Sequence, residues 1–405
     1  MLAVADAQRL ILHHARPLPP ETATLSPSAL GLVLAEDVAS DLDSPPHDKS
    51  MMDGYAVRAT DLPAGQGTLV VVEEVSAGKV PTKPVAQGQA TRIMTGAPLP
   101  DGADAVVVVE STTVLDDGRV RINDRPPRAG QNIFRRASEM RRGDVVLTGG
   151  TVLRPQELGV LATVGRTSVR AVPSPRVSVL STGDEVVETG RMPGPGQIRN
   201  SNGPMLVAQA VRAGGAAHYL GIARDNLDSL RPLIAEGLRA DVLILSGGVS
   251  AGKLDLVPGV LQEAGVVAHF HKVEMKPGKP VFFGTRSAER PALVFGLPGN
   301  PVSSFVCFEL FVRPALRRLR GLPDAAPQTC SAALAEDFVY RTDRPTYHPA
   351  RAEATDGGWR VRPVPWSGSP DLRGLTRANA LVVFPAGDHT HRAGQRFPVL
   401  HLGDE

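Results

Sequence analysis

The sequence predicts a multidomain α/β plus β protein. Its centre is a three-layer α/β/α domain on a parallel sheet, with an inserted β-rich domain upstream and a β domain at the C-terminus. Three observations predict this. The chain has 405 residues, too many for one ordinary core, so about three domains or more are expected. From Arg176 short apolar runs alternate with helical periods, the pattern of a parallel sheet with helices on both faces. The chain carries 41 Gly and 36 Pro, and on either side of this region such residues punctuate short strand-like segments.

Taken in order, MLAVADAQRLILHHARPL reads as a short amphipathic helix. TLVVVEEVSAG, ATRIM, DAVVVVEST and RVRIN are strands bounded by Gly, Pro or Asp, and place a β-rich domain at 44–139. The flanks, 1–43 and 140–175, carry helical pieces such as RPQELGVLATVG and are grouped as one elongated domain that receives the insertion. The α/β domain spans 176–322. RVSVLSTGDE, AHYLGIARDN and DVLILSGGVSAGKLD are its first strands. NGPMLVAQAVRAGG and NLDSLRPLIAEGLRA are its helices, the second capped by Asp225 or Asn226. VFFG and ALVFGLPG add strands, and NPVSSFVCFELFVRPALRRLRG is a long helix kinked at Pro314. Short strands and turns return over 323–405.

The bulk numbers exclude several functions. A net charge of +2 and 4% aromatics give no electrostatic footprint or stacking platform for nucleic acid. No apolar run reaches the ~18 residues needed to span a membrane, and the N-terminus lacks the basic start of a signal peptide, so a cytoplasmic protein is expected. Cys307 and Cys330 sit in no ligand-spaced cluster. His269/His271 and His389/His391 are read as ordinary strand faces, because no third ligand is spaced nearby.

In an open parallel sheet, ligands bind beyond the carboxyl ends of the strands. Each such end here is polar: STGDE, ARDN, SGGVSAGKLD, KPGKP and GLPGNPVSS. Gly247, Gly248 and Gly252 let backbone N–H groups approach an anion. Asn300 and Pro301 stand where a helix begins, which favours phosphate. Lys276 and Lys279 add positive charge, and Asp184, Glu185, Asp225 and Asp255 add carboxylates. Phosphate beside so many carboxylates calls for a divalent cation, Mg²⁺, among them. The third loop matches G-x-x-x-x-G-K, but Leu254 stands where a nucleotide P-loop needs Ser or Thr for Mg²⁺, so the match is read as glycine spacing alone.

Read in order, SMMDGYAVR, IMTGAPLPDGADAVV, STGDE, GQIRNSN, SGGVSAGKLD, MKPGKP and GLPGNPVSS resemble the molybdopterin molybdenumtransferase (MoeA) family, which includes the C-terminal domain of gephyrin. The resemblance spans nearly the whole chain and is loosest before Ser44 and after Pro323. It implies an L-shaped, four-domain subunit with a molybdopterin-binding α/β domain, working as a homodimer. The implied substrates are adenylylated molybdopterin and molybdate. Molybdenum is inserted, AMP is released and Mg²⁺ is required. A molybdopterin adenylyltransferase and molybdoenzyme apoproteins are implied candidate partners. The rival readings are an adenylyltransferase, because the sheet domain also resembles those proteins, and a non-catalytic molybdopterin-binding scaffold.

The resemblance carries roles onto this chain. Asp53 and Thr95 match functional residues of the β domain. Glu185, Asp225 and Asp255 match the sheet-edge carboxylates and are the expected Mg²⁺ and proton-transfer groups. Lys272 and Lys276 match two lysines, with the spacing shifted by one residue just upstream. Gly247, Gly248, Ser250, Gly252, Lys279, Pro298, Asn300, Pro301 and Ser303 are the implied substrate-binding set, joined by Arg351 and Ser369 of the last domain. Asp53, Thr95 and Glu139 are expected from the partner subunit. One loop departs from the family's G-x-N-I-R-x-x-G-x-D: Phe134 replaces the arginine, Ala137 the glycine and Glu139 the aspartate. Arg135 and Arg136 are expected to replace the missing charge.

Overall fold

The structure, a computed structural model, describes residues 1–248, 256–287 and 291–403. It divides into two compact units, one of residues 24–30 and 36–169, the other of residues 1–23, 31–35 and 170–405. No helix among the described residues is long and apolar enough to cross a membrane.

The smaller unit is built on a six-stranded sheet. Its strands are β1 (Gly54–Val57), β2 (Gln66–Val75), β3 (Gln89–Ile93), β4 (Ala105–Val108), β5 (Thr112–Val114) and β6 (Arg119–Asn123), in the order β4-β1-β3-β2-β6-β5. Alternation decides the faces. Tyr55 and Val57 enter one core with Leu69 and Val107, and Ala56 enters another with Val75 and Ile93. β1 must start with glycine, because a Cβ at Gly54 would lie 2.0 Å from the Val107 carbonyl oxygen.

The larger unit begins with helix α1 (Val4–His14), and the next helix in the chain, α2 (Pro155–Thr163), belongs to the smaller unit. Its central sheet comprises β7 (Arg176–Thr182), β8 (Ala216–Ala223), β9 (Val242–Ser246), β10 (Val266–Lys272), β11 (Pro280–Arg286) and β12 (Ala292–Leu297), in the order β8-β7-β9-β12-β11-β10. The β7–β8, β7–β9 and β9–β12 pairs are parallel, as the alternation predicts. β10 and β11 are antiparallel to their neighbours, so the sheet is mixed. The five residues between β11 and β12 are too few for a crossover, which takes a dozen or more, and force that reversal.

The buried strands split their side chains between two cores. Val242 and Ile244 of β9 enter one, with Leu206 of helix α3 (Asn202–Arg212) and Ile11 of α1. Leu243 and Leu245 enter the other, with Ile234 of helix α4 (Leu227–Gly237) and Val260 of helix α5 (Val257–Glu263). This is the three-layer arrangement, at about 1.5–3 kcal/mol for each fully buried aliphatic side chain. The placement of α1 on the sheet is one that grouping 1–43 with 140–175 did not foresee. Asn226 is the cap of α4, its side chain accepting from Ser229 N.

The long helix expected after β12 is present as one helical run with an internal π segment. Helix α6 (Pro301–Cys307) runs into a π-turn at Phe308–Val312 and then helix α7 (Arg313–Leu319). Pro314 lacks an N–H and its ring would clash with the carbonyl four residues back, so it is accommodated in the first turn of a new helical segment. The chain ends in β13 (Thr329–Leu334), β14 (Phe338–Thr342), β15 (Thr346–Thr355), β16 (Gly358–Pro363), β17 (Ala380–Phe384), β18 (Gly387–His391) and β19 (Arg396–His401). β13-β16-β15-β17-β19 close a barrel, and β14 pairs with β18 as a separate ribbon.

Candidate functional site

The carboxyl ends of parallel strands share one edge, and there the loops converge. A cavity of about 560 Å³ is lined by Glu185, Asp225, Gly247, Gly248, Asn300 and Pro301 among others. A second, of about 420 Å³, is lined by Lys276, Lys279, Ser303 and Ser369. Pro280, Pro298 and Asn300 line both, so the two adjoin. One cavity carries carboxylates and the other ammonium groups.

The acidic cavity is tightly braced. Asp184 N donates to Asp225 Oδ2 at 3.3 Å, and Asp225 N donates to Asp184 Oδ1 at 3.2 Å. Arg224 Nη1 donates to the carbonyls of Gly183, Asp184 and Val186, at 3.3, 2.9 and 3.1 Å. Partial burial pushes the Asp225 carboxyl above its ordinary value, and the Asp184 and Glu185 charges push the same way. Gly247 and Gly248 adopt φ of +92° and +62°. A Cβ on either would come within 2.7 Å of Thr182 atoms, so this turn admits only glycine without a shift.

Two buried amides complete the frame, and sequence reasoning did not single them out. Asn202 Nδ2 donates to Ser246 Oγ at 2.8 Å and to the Gly299 carbonyl at 2.7 Å, tying the end of β9 to the P-G-N-P turn. Asn200 Oδ1 accepts from Gly203 N and Ser181 Oγ, at 2.9 and 3.2 Å. Their signal lies in GQIRNSN, which in the sequence carries only the family resemblance. In the second cavity, Asn300 Nδ2 donates to Ser369 Oγ at 3.0 Å, and Val302 N donates to the Ser369 carbonyl at 3.0 Å.

Not all expected residues gather here. Lys272 ends the edge strand β10 and Arg351 pairs with Glu353 at 3.2 Å on the exposed face of β15; neither lines the two cavities. Ser250, Gly252 and Asp255 lie outside the described residues. In the smaller unit Asp53 Oδ1 accepts from Thr95 N at 2.7 Å and Thr95 Oγ1 at 2.8 Å, which holds its carboxyl below the ordinary value. Glu139 accepts from Ser44 Oγ at 2.7 Å.

The departing loop differs from expectation. Arg135 pairs with Asp48 at 2.6 Å and Arg136 with Asp43 at 2.7 Å, so neither charge is spare. The Lys49 ammonium stands 5.6 Å from the centre of the Phe134 ring, a cation–π contact at the place of the family's arginine. Ala137, in the family's glycine position, holds φ at +59°. A left-handed alanine costs about 1–2 kcal/mol, partly offset by the ~0.5–1 kcal/mol of chain entropy that glycine loses. Ala137→Gly is therefore expected to stabilise this unit by about 0.5–1 kcal/mol in denaturant unfolding. An unchanged or lower midpoint would contradict it.

Among the described residues no group of three or more His, Cys, Asp or Glu side chains could hold a metal ion. Mg²⁺ does not need such a cage: it commonly takes one or two carboxylates, with water and substrate phosphate oxygens completing its shell. Glu185 and Asp225 in one cavity fit that mode.

A sheet whose carboxyl edge carries an acidic cavity beside a cationic one belongs to the class of α/β proteins built to take a charged ligand at that edge. Residues 178–318 match the probable molybdopterin binding domain. Residues 2–165 match the MoeA N-terminal region (domain I and II), and 331–402 the MoeA C-terminal region (domain IV). Molybdopterin molybdenumtransferase of Staphylococcus aureus (strain Mu50) is 35% identical over 405 residues, spanning 98% of this chain and 95% of that protein. The Bacillus subtilis (strain 168) protein of that name is 34% identical over 412 residues, spanning 100% and 95%. The crystal structure of a molybdopterin biosynthesis MoeA protein from Pyrococcus horikosii superposes with a TM-score of 0.81 at 30% identity, covering 100% of this chain and 99% of that one. The chain belongs to the molybdopterin molybdenumtransferase (MoeA) family and is a transferase of molybdenum cofactor biosynthesis.

Proposed function

We propose that the chain inserts molybdenum from molybdate into adenylylated molybdopterin and releases AMP. The observation that carries this is the adjoining pair of cavities, one acidic and one cationic, meeting at Pro298 and Asn300. The Gly248 N–H and the P-G-N-P turn are offered to the phosphates, whereas the Gly247 N–H donates to the Leu297 carbonyl at 3.1 Å. Glu185 and Asp225 would hold Mg²⁺, with Asp255 as the proposed third carboxylate, and the bound ion would supply charge neutralisation at the phosphate. Lys276, Lys279, Ser303 and Ser369 receive the tetrahedral oxyanion, whose two negative charges match the lysines. Lys272 and Arg351 belong to the proposed site by resemblance. Asp53, Thr95 and Glu139 are assigned to the site of a partner subunit in a cytoplasmic homodimer. The proposed division of the chain remains 1–43 with 140–175, 44–139, 176–322 and 323–405.

The test is AMP release from adenylylated molybdopterin with Mg²⁺, with and without molybdate. Molybdate-dependent release with formation of active cofactor is expected. Consumption of ATP with pyrophosphate release would make the chain an adenylyltransferase. Tight binding of the adenylylated pterin without turnover would make it a scaffold.

A further inference from the structure

We propose that Tyr340 of the β14–β18 ribbon is a positioning residue, which holds the Lys276 ammonium where the oxyanion arrives. The inference rests on the reading of the cationic cavity given above.

Lys276 has a long stem whose freedom must be lost before it can bind. The C-terminal segment restrains it twice. Its backbone is clamped by the chain before and inside β15: Lys276 N donates to the Pro345 carbonyl at 2.9 Å, and Tyr347 N donates to the Lys276 carbonyl at 2.8 Å. Its side chain is held by a ring, with Nζ 5.5 Å from the centre of Tyr340. Both residues line the same cavity as Lys279 and Ser369.

The ring is itself fixed. Phe338 stacks on Tyr340 at 5.8 Å between centroids, His348 meets it edge-on at 5.3 Å, and Phe384 packs at 6.0 Å. His348 is buried, which pushes it down to about 4, with the Lys276 charge contributing. It stays neutral at pH 7 and does not repel the ammonium.

The chemistry of the partner matters more than its presence. A carboxylate would orient the ammonium but cancel its charge. A ring face attracts the cation through its quadrupole and leaves the full charge for a dianion. The carboxylate at hand, Asp343, is already taken bidentately by Arg344, at 2.6 and 3.0 Å. Tyr340 therefore preorganises a cation without neutralising it, which lowers the cost of binding the oxyanion.

The experiment measures the molybdate concentration for half-maximal AMP release, with turnover at saturating molybdate and the affinity for adenylylated molybdopterin, in the full chain. Tyr340→Leu is expected to raise the half-maximal molybdate concentration by about five- to tenfold, as loss of a partly desolvated cation–π contact does. Tyr340→Phe keeps the ring face and is expected within about twofold of wild type. Tyr340→Thr, a strand former without a ring, serves if the leucine variant fails to fold. In a Lys276→Met background, Tyr340→Leu is expected to add no further loss, because the two residues form one device. An equal loss in that background, or unchanged molybdate dependence in both ring-less variants, overturns the inference and leaves the functional reading standing. A wild-type chain with no molybdate dependence overturns the functional reading and this inference together.

Discussion

Asp225→Asn is expected to lower molybdate-dependent AMP release by about 10²–10³ at saturating substrate, without destabilising the chain. The first half follows from charge. Asp225 and Glu185 are the described carboxylates of the acidic cavity. Removing one preorganised electrostatic group from such a site costs roughly that factor. The second half follows from sign. The Asp225 carboxyl lies above its ordinary value because of partial burial, with Asp184 and Glu185 adding to it. A carboxyl raised in the folded state makes folding less favourable once it ionises, because the unfolded chain holds the charge more comfortably. The neutral amide keeps the shape, removes that penalty and leaves the Asp225 N–H bond to Asp184 in place. Loss of activity with an unchanged or raised unfolding midpoint is the pattern of a functional group held at some cost to stability. Turnover within about threefold of wild type would remove Asp225 from the mechanism. A matching fall in both turnover and midpoint would make it a structural residue.

The loops of this site were legible because one rule collects them. Parallel strands place their carboxyl ends at one edge, so Glu185, Asp225 and Gly247 had to be neighbours once the alternation was read. The P-G-N-P turn was legible by the same rule as a polar strand end that opens a helix, but its partner Ser369 came only with the resemblance, since nothing local in S-G-S says that it folds back on Asn300. Antiparallel β10 and β11 were not legible as such, because a buried apolar run reads alike in either direction. The turn length between β11 and β12 was the available signal. Asn202 was missed because an asparagine at a helix start looks like an ordinary cap. Its two Nδ2 bonds reach Ser246 and Gly299, 44 and 97 residues away, and no periodicity encodes them. Tyr340 was missed for the same reason: its partner Lys276 is distant in sequence. Ala137 is a different case. The departure from the family's glycine was visible in sequence, but its consequence, a left-handed alanine, needed the backbone.

The π-turn explains the other large effect expected in this molecule. An uninterrupted helix through Phe308–Val312 would have kept one regular apolar stripe, and Glu309 had no place in it. In the π-turn all five residues are buried, Glu309 among them at 1% exposure. Its carboxylate is surrounded by cations and an amide. Arg212 Nη2 lies 2.5 Å from Oε1, Arg313 Nη1 donates to Oε2 at 3.1 Å, and Gln209 Nε2 donates to Oε1 at 2.7 Å. Arg212 also donates to the Leu402 carbonyl at 2.9 Å, so the cluster links α3, the π-turn and the residue after the last barrel strand. Removing one member of a buried pair leaves its partner charged and poorly solvated, at about 3–5 kcal/mol. Glu309→Ala is therefore expected to lose about that much in the unfolding transition of the larger unit, followed in denaturant. The pair's net worth is a separate quantity, because well-packed apolar residues replace buried ion pairs at little cost. Joint replacement of Glu309 and Arg212 by methionine is expected to recover a substantial part of the loss. A single variant that loses less than about 1 kcal/mol would show that water reaches the cluster and screens it. A double variant no better than the single would show that the lost pairing with Arg212 is not the source of the single variant's loss.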